Sequence, residues 1–295
     1  MTSTPSLNRP ILSLADAVAL GAAAQRIETP CGDQTMVWHT WGDGPPIALL
    51  HGGSGSWSHW VRNIGPLVAA GRKVCVPDLP GFGDSAWPPV GHDADAMPEW
   101  IERGLDQLIG DEACDLVGFS FGGMVAGFVA AQYPQRARRL VLVGAPALMD
   151  DRNRRLGLRA WSHLSEGPER DAAITHNLAA LMLAKEASID ALALALHSAN
   201  LVRDRMPRRR ISKTDVLART LPQVRCPVWG IWGELDALYR DRIETIEPAL
   251  GQAPGFQTLT LIPNAGHWVQ YEAADAFNAA LLGTLAAGRG YRVSQ

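Results

Sequence analysis

The run Leu116-Val117-Gly118-Phe119-Ser120-Phe121-Gly122-Gly123-Met124 constrains this chain more than any other segment. Apolar residues lead into Gly-x-Ser-x-Gly, and apolar and small residues follow in a helical pattern. A strand that turns so sharply into a helix makes an elbow that lifts one hydroxyl above a sheet. Gly118 and Gly122 are needed because a side chain at either place would collide with neighbouring backbone. Ser120 then falls at the N-terminal end of the helix, where free N–H groups and the helix dipole favour negative charge. Acyl transfer develops negative charge at such a point. Alone, the pattern is weak in a chain with 29 glycines, since an ordinary glycine-rich loop also matches it.

What strengthens it is the order of the other parts. A serine needs a base, and near the C-terminus the alternating stretch Leu259-Thr260-Leu261-Ile262 runs into Pro263-Asn264-Ala265-Gly266-His267. A histidine in a glycine-containing loop after the last strand can reach the sheet edge that carries the elbow, so His267 is the expected base. Of the seven others, His51 precedes a Gly-Gly turn and reads as a structural donor. His39 falls in an early strand, His92 in a polar loop, and His59, His163, His176 and His197 in helical or loop stretches. The acid should lie between serine and histidine at the end of another strand. Asp236 follows the apolar stretch 226–233 by a turn and is the expected partner of the far imidazole nitrogen. Glu234 is its local rival, and Asp150 and Asp151 are more distant ones. An oxyanion requires two backbone donors. Phe121, directly after the serine, supplies one, and Gly53 in His51-Gly52-Gly53-Ser54-Gly55 supplies the other. No Gly-Lys-Ser/Thr follows that loop, so it does not cradle phosphate.

These residues give the chain its resemblance. Over residues 29–287 it resembles an α/β-hydrolase-fold serine hydrolase, and within that superfamily it is most similar to the meta-cleavage-product hydrolases. That group cuts carbon–carbon bonds in ring-opened aromatic catabolites. The segments that carry the likeness are residues 57–66 (WSHWVRNIGP), 76–85 (VPDLPGFGDS) and 266–272 (GHWVQYE). The resemblance implies an α/β fold, a mostly parallel doubly wound sheet with an inserted helical cap, and a Ser120–Asp236–His267 triad. Two positions depart from the group. An asparagine that commonly precedes the nucleophile and holds substrate is Phe119 here, and a second is His59. Phe119, His59 and Trp268 are the expected substrate contacts. A buried polar group without a partner costs about 1–3 kcal/mol, so the departures weaken the ring-cleavage reading. The expected function is hydrolysis of a carboxylic ester, lactone or activated ketone of a small organic acid through an acyl-enzyme, with a dedicated carbon–carbon bond hydrolase or a non-catalytic receptor as the alternatives.

The remaining chain fits this frame. Strands are expected at Gln34–Trp41, 46–51, 72–77, 115–119, 139–144, 227–233 and Phe256–Ile262, alternating with helices, which means a parallel sheet with ligands at the strands' carboxyl ends. From 147 to 224 strand signals stop. This stretch, with a long helical run from 172 to 201 and the basic cluster Arg203, Arg205, Arg208, Arg209, Arg210, is the expected cap. Residues 1–146 and 225–295 form the core. Its arginines could hold a substrate carboxylate, although any one of them reads more readily as a solvated helix end. Trp57, Trp60, Trp161 and Trp268 are candidates to line an aromatic-walled pocket.

Length and composition set bounds. At 295 residues and 47% apolar, the chain can bury one large core. A net charge of -3 gives no reason to expect nucleic acid or an acidic membrane surface. Cys31, Cys75, Cys114 and Cys226 stand singly, without metal spacing, as small core residues of a reducing cytoplasmic compartment. The mildly apolar stretch 10–24 reads as a short N-terminal helix rather than a signal peptide, because it contains Asp16. The expected partner is a small-molecule substrate, without metal or cofactor, and a homodimer is left open. An epoxide hydrolase or dehalogenase on this fold would carry Asp as nucleophile. Perhydrolysis, or a receptor that retains the triad, is compatible with the same residues and would be separated by turnover.

Overall fold

The computed structural model describes residues 13–206 and 209–287; Arg208 and residues 10–12 of the N-terminal segment lie outside them. Eight strands form one sheet: β1 Gln25–Cys31, β2 Gln34–Trp41, β3 Pro46–Leu50, β4 Lys73–Pro77, β5 Cys114–Phe119, β6 Ala137–Val143, β7 Val228–Gly233 and β8 Phe256–Ile262. Their order across the sheet is β1-β2-β4-β3-β5-β6-β7-β8. Pairs β1–β2 and β2–β4 are antiparallel and the rest parallel. Strands β3, β5 and β7 are buried along their whole length, as expected of parallel strands covered on both faces. The chain thus has the expected α/β-hydrolase architecture.

Sequence reading missed β1. Its residues Gln-Arg-Ile-Glu-Thr-Pro-Cys are mostly polar and exposed, as suits an antiparallel edge strand, and no apolar run marks it.

Helices α1 Leu14–Ala22 and α2 Ile64–Ala69 pack on one face of the sheet, and α3 Pro98–Ile109 and α4 Phe121–Gln132 on the other. Ten successive residues of α4, Phe121–Ala130, are buried, because the helix lies between the sheet and its neighbours. All four cysteines are free and buried. Burial pushes the Cys31 thiol up to about 11 and those of Cys75 and Cys226 to about 12, so they act as core residues and not as nucleophiles.

Between β6 and β7 no strand occurs among the described residues. This stretch holds α5 Pro168–Asn177, α6 Ala191–Leu201 and α7 Val216–Thr220. The single helical run expected from 172 to 201 is broken. Leu183 is extended (φ -125°, ψ 127°), and α6 starts afresh where the Asp190 carboxylate accepts the Ala193 N–H at 2.7 Å. Ala and Leu favour helix throughout but cannot mark an interruption; the Asp190 cap is the signal that could have. Beyond β7, α8 Ile246–Leu250 precedes β8, while α9 Val269–Glu272 and α10 Ala274–Ala287 follow it.

Candidate active site

Ser120 stands between the last residue of β5 and the first of α4, with φ 50° and ψ -119°. Serine seldom adopts this left-handed conformation, and such strain persists only where surroundings enforce it. Here the Ser120 N–H donates to the Val143 carbonyl at 2.8 Å. A Cβ on Gly118 would stand 2.3 Å from the Gly122 oxygen, and one on Gly122 would stand 2.4 Å from the Leu50 oxygen. The two glycines are therefore dictated by space.

His267 sits in the loop after β8, its Nε2 2.9 Å from Ser120 Oγ. Its Nδ1 lies 3.0 and 2.9 Å from the two carboxylate oxygens of Asp236, which follows β7 and is fully buried. Asp236 Oδ1 also accepts the Leu238 N–H at 2.8 Å. A carboxylate on Nδ1–H leaves Nε2 as the acceptor facing the serine hydroxyl. Room for the pair comes from Gly144 (φ +54°), where a Cβ would stand 3.2 Å from His267 Nδ1. Of the rival acids, Asp150 pairs with Arg152, and Asp151 with Arg154 and Arg242. Glu234 lies 3.4 Å from the Asn264 N–H.

Ser120, His267, Gly53 and Phe121 line one cavity of about 600 Å³. The Phe121 N–H, in the first turn of α4, has no partner within its helix. The Gly52 N–H, by contrast, is engaged by His59 Nδ1 at 3.2 Å. His51 is structural as expected: Nδ1 faces the Gly52 carbonyl at 2.7 Å and Nε2 accepts the Leu79 N–H at 2.9 Å.

Of the three expected substrate contacts only Phe119 lines the cavity. His59 and Trp268 are buried behind its wall, where Trp268 Nε1 donates to the His59 carbonyl at 3.0 Å and its ring stacks on Tyr271. Trp57, Trp60 and Trp161, the other candidate wall residues, are also absent from the lining. The apolar walls are Phe119, Phe121, Leu156, Leu158, Leu181, Met182 and Leu238 instead. Sequence reading missed a second property. Arg154, Arg155, Arg209 and Lys213 line the same cavity, and among the described residues no Asp or Glu does. Only Arg209 belongs to the basic cluster singled out earlier, and no spacing marked the others.

Behind that wall His59 and His197 are buried, with His59 Nε2 and His197 Nδ1 unpartnered. Burial lowers His197 to about 4. Burial, with the imidazoles of His51, His197 and His267 nearby, holds His59 well below its ordinary value. The unfolded chain therefore takes up protons near pH 6.5 that the folded chain refuses, and stability falls as pH drops from about 6.5 towards 4. For His197 alone the loss is about 2 kcal/mol at pH 5. The melting temperature should fall between pH 7 and 5, and less steeply in His197→Gln; an equal fall in both proteins would contradict this assignment.

Among the described residues His39, Asp78 and Asp84 hold ligand-type atoms within 4.8 Å of one another. Asp78 accepts the N–H groups of Trp57 and Asp84, and Asp84 pairs with Arg203, so both carboxylates already have partners, while His39 Nε2 lies 3.9 Å from Asp78.

The profile of the alpha/beta hydrolase fold family matches residues 45–168. A 2-hydroxy-6-oxo-6-phenylhexa-2,4-dienoate hydrolase of Burkholderia cepacia is 30% identical over 265 residues, 84% of this chain and 90% of that protein. The chain belongs to the alpha/beta hydrolase family. This hydrolase is also 29% identical over 269 residues to a 2-hydroxy-6-oxononadienedioate/2-hydroxy-6-oxononatrienedioate hydrolase of Comamonas testosteroni, again covering 84% and 90%. Its fold matches the meta-cleavage product hydrolase of Pseudomonas fluorescens IP01 with a TM-score of 0.73, at 22% identity, over 89% of this chain and 98% of that one. No helix among the described residues is long and apolar enough to cross a membrane.

Proposed function

We propose that this hydrolase cleaves a carbon–carbon bond in a carboxylate-bearing, ring-opened aromatic product, with Ser120 as nucleophile, His267 as base and Asp236 as its orienting acid. The observation that carries this reading is the cavity above Ser120. It is apolar on most sides, carries four cations and has no carboxylate among the described residues of its lining, in a chain whose net charge is -3. Such a space suits an apolar body with an anionic group. The names of the relatives agree with that chemistry.

The distances support the following steps. Ser120 Oγ–H passes its proton to His267 Nε2 as the oxygen bonds the substrate carbonyl carbon. Negative charge on the carbonyl oxygen meets the N–H groups of Phe121 and Gly53. Asp236 keeps the imidazolium in place. Ketonisation of the substrate's dienol beforehand moves a proton onto the leaving carbon. On collapse the carbon–carbon bond breaks, its electron pair passes into the conjugated dienolate, and His267 gives its Nε2 proton to the dienolate oxygen. Water, deprotonated by His267, then attacks the acyl-enzyme, releasing an acid and regenerating Ser120. The stretch 147–224 acts as a cap, with Leu156, Leu158, Leu181 and Met182 restricting water.

Arg155 and Lys213 have no carboxylate within ion-pair distance among the described residues, whereas Arg154 pairs with Asp151 and Arg209 with Asp204. The two unpaired cations are thus assigned to the substrate's anionic group. In an Arg155→Gln/Lys213→Met variant, kcat/KM for a carboxylate-bearing substrate should fall about tenfold. For a neutral ester of matched size it should change little. Equal effects on both would remove the anion from this account.

One observation favours a second reading, simple ester or lactone hydrolysis: the residue before Ser120 is the apolar Phe119, and His59 does not line the cavity.

A further inference from the structure

The mechanism needs the Gly53 N–H fixed in direction, and the loop that carries it is held in an unusual way. Ser54, the next residue, has φ +51°, a conformation that serine seldom adopts. Its hydroxyl donates to Asp204 Oδ2 at 2.5 Å, a residue 150 positions further along, in the stretch between β6 and β7. Asp204 in turn is fixed. Arg209 Nη1 donates to both of its oxygens at 2.8 Å, and the Met206 N–H donates to Oδ1 at 2.8 Å.

The same guanidinium closes the triangle. Arg209 Nη2 lies 3.3 Å from Ser54 Oγ and 3.5 Å from where a Cβ on Gly53 would stand. Its central carbon lies 5.7 Å from the centre of the Phe121 ring and 5.1 Å from that of Phe82. One cation therefore packs against both residues whose N–H groups face the oxyanion. The segment that bears Asp204 is seated on residues 81–85. Arg203 pairs with Asp84, the Arg205 N–H donates to the Gly81 carbonyl at 3.0 Å, and the Arg205 guanidinium reaches the Gly83 and Ser85 carbonyls. Met206 beside it is buried.

We propose that Asp204 and Arg209 are positioning residues of the oxyanion hole, a clamp from the inserted stretch that holds Ser54 left-handed and so aims the Gly53 N–H. Gly53 is thereby fixed from both sides: His59 Nδ1 holds the Gly52 N–H and the Asp204–Arg209 pair holds Ser54. The oxyanion hole is complete only while the inserted stretch is seated on the core. The inference rests on the hydrolytic reading of Ser120.

Asp204→Ala should lower kcat about tenfold while KM changes little, because the interaction is made with the transition state and not the ground state. Affinity for a trifluoromethyl ketone, which adds to Ser120 and carries a tetrahedral oxyanion, should fall in parallel. Asp204→Asn, which keeps an acceptor for the Ser54 hydroxyl, should retain more kcat than the alanine variant. A double-mutant cycle supplies the second arm. In a Ser54→Gly background glycine adopts the positive φ without help, so Asp204→Ala should cost less there than in the parent chain. The clamp is overturned if KM rises while kcat and inhibitor affinity hold. Equal losses in both backgrounds would also overturn it. These failures differ from failure of the hydrolytic reading, which would appear as turnover surviving Ser120→Ala.

Discussion

Ser120→Ala is expected to reduce kcat by about four orders of magnitude or more, while substrate binding and melting temperature stay close to those of the parent chain. The magnitude follows if Ser120 is the nucleophile of a unit whose members act together, as proposed, since its removal would leave only binding and the proposed oxyanion donors. Stability should change little because, among the described residues, Ser120 Oγ has one hydrogen-bond partner, His267 Nε2 at 2.9 Å, and the methyl of alanine fits the same space. The strain at φ 50° is common to both residues. Single-turnover rates on purified protein check the first half, and thermal denaturation the second. A variant that retains a tenth of the rate would mean that another group attacks the substrate.

Asp236→Asn should cost about 10³- to 10⁴-fold in kcat, by analogy with the same change in serine-protease triads. The carboxylate is fully buried and accepts His267 Nδ1–H and the Leu238 N–H. An amide can still satisfy Leu238 through its oxygen, but it then presents NH₂ to the imidazole. His267 would carry its proton on Nε2, facing the Ser120 hydroxyl with a donor where an acceptor is needed. Nitrogen NMR of the ring reads that exchange directly, alongside kcat. A full rate with the tautomer unchanged would show that Asp236 does not orient the base.

Much of this site was legible because it is local chemistry repeated at strand ends. Ser120, Asp236, His267, Gly53 and Phe121 each follow an apolar stretch that ends in a turn, and parallel strands bring such ends together. Other features had no local mark. Edge strand β1 lacks an apolar run because little of it is buried. Trp268 neighbours His267 in sequence, yet turns its ring into the core against Tyr271. The cationic lining depends on how residues 154–158 and 209–213 lie over the sheet, which no spacing encodes. Asp204 and Ser54 are 150 residues apart, and their contact becomes visible only once the inserted stretch is seated.

The most direct test of the central claim compares kcat/KM for a 2-hydroxy-6-oxo-dienoate ring-cleavage product and a short p-nitrophenyl ester, with Ser120→Ala as the blank. The account predicts far faster turnover of the dienoate, with both activities lost in the variant. Cleavage of the ester alone, or dienoate turnover that survives in Ser120→Ala, would contradict it.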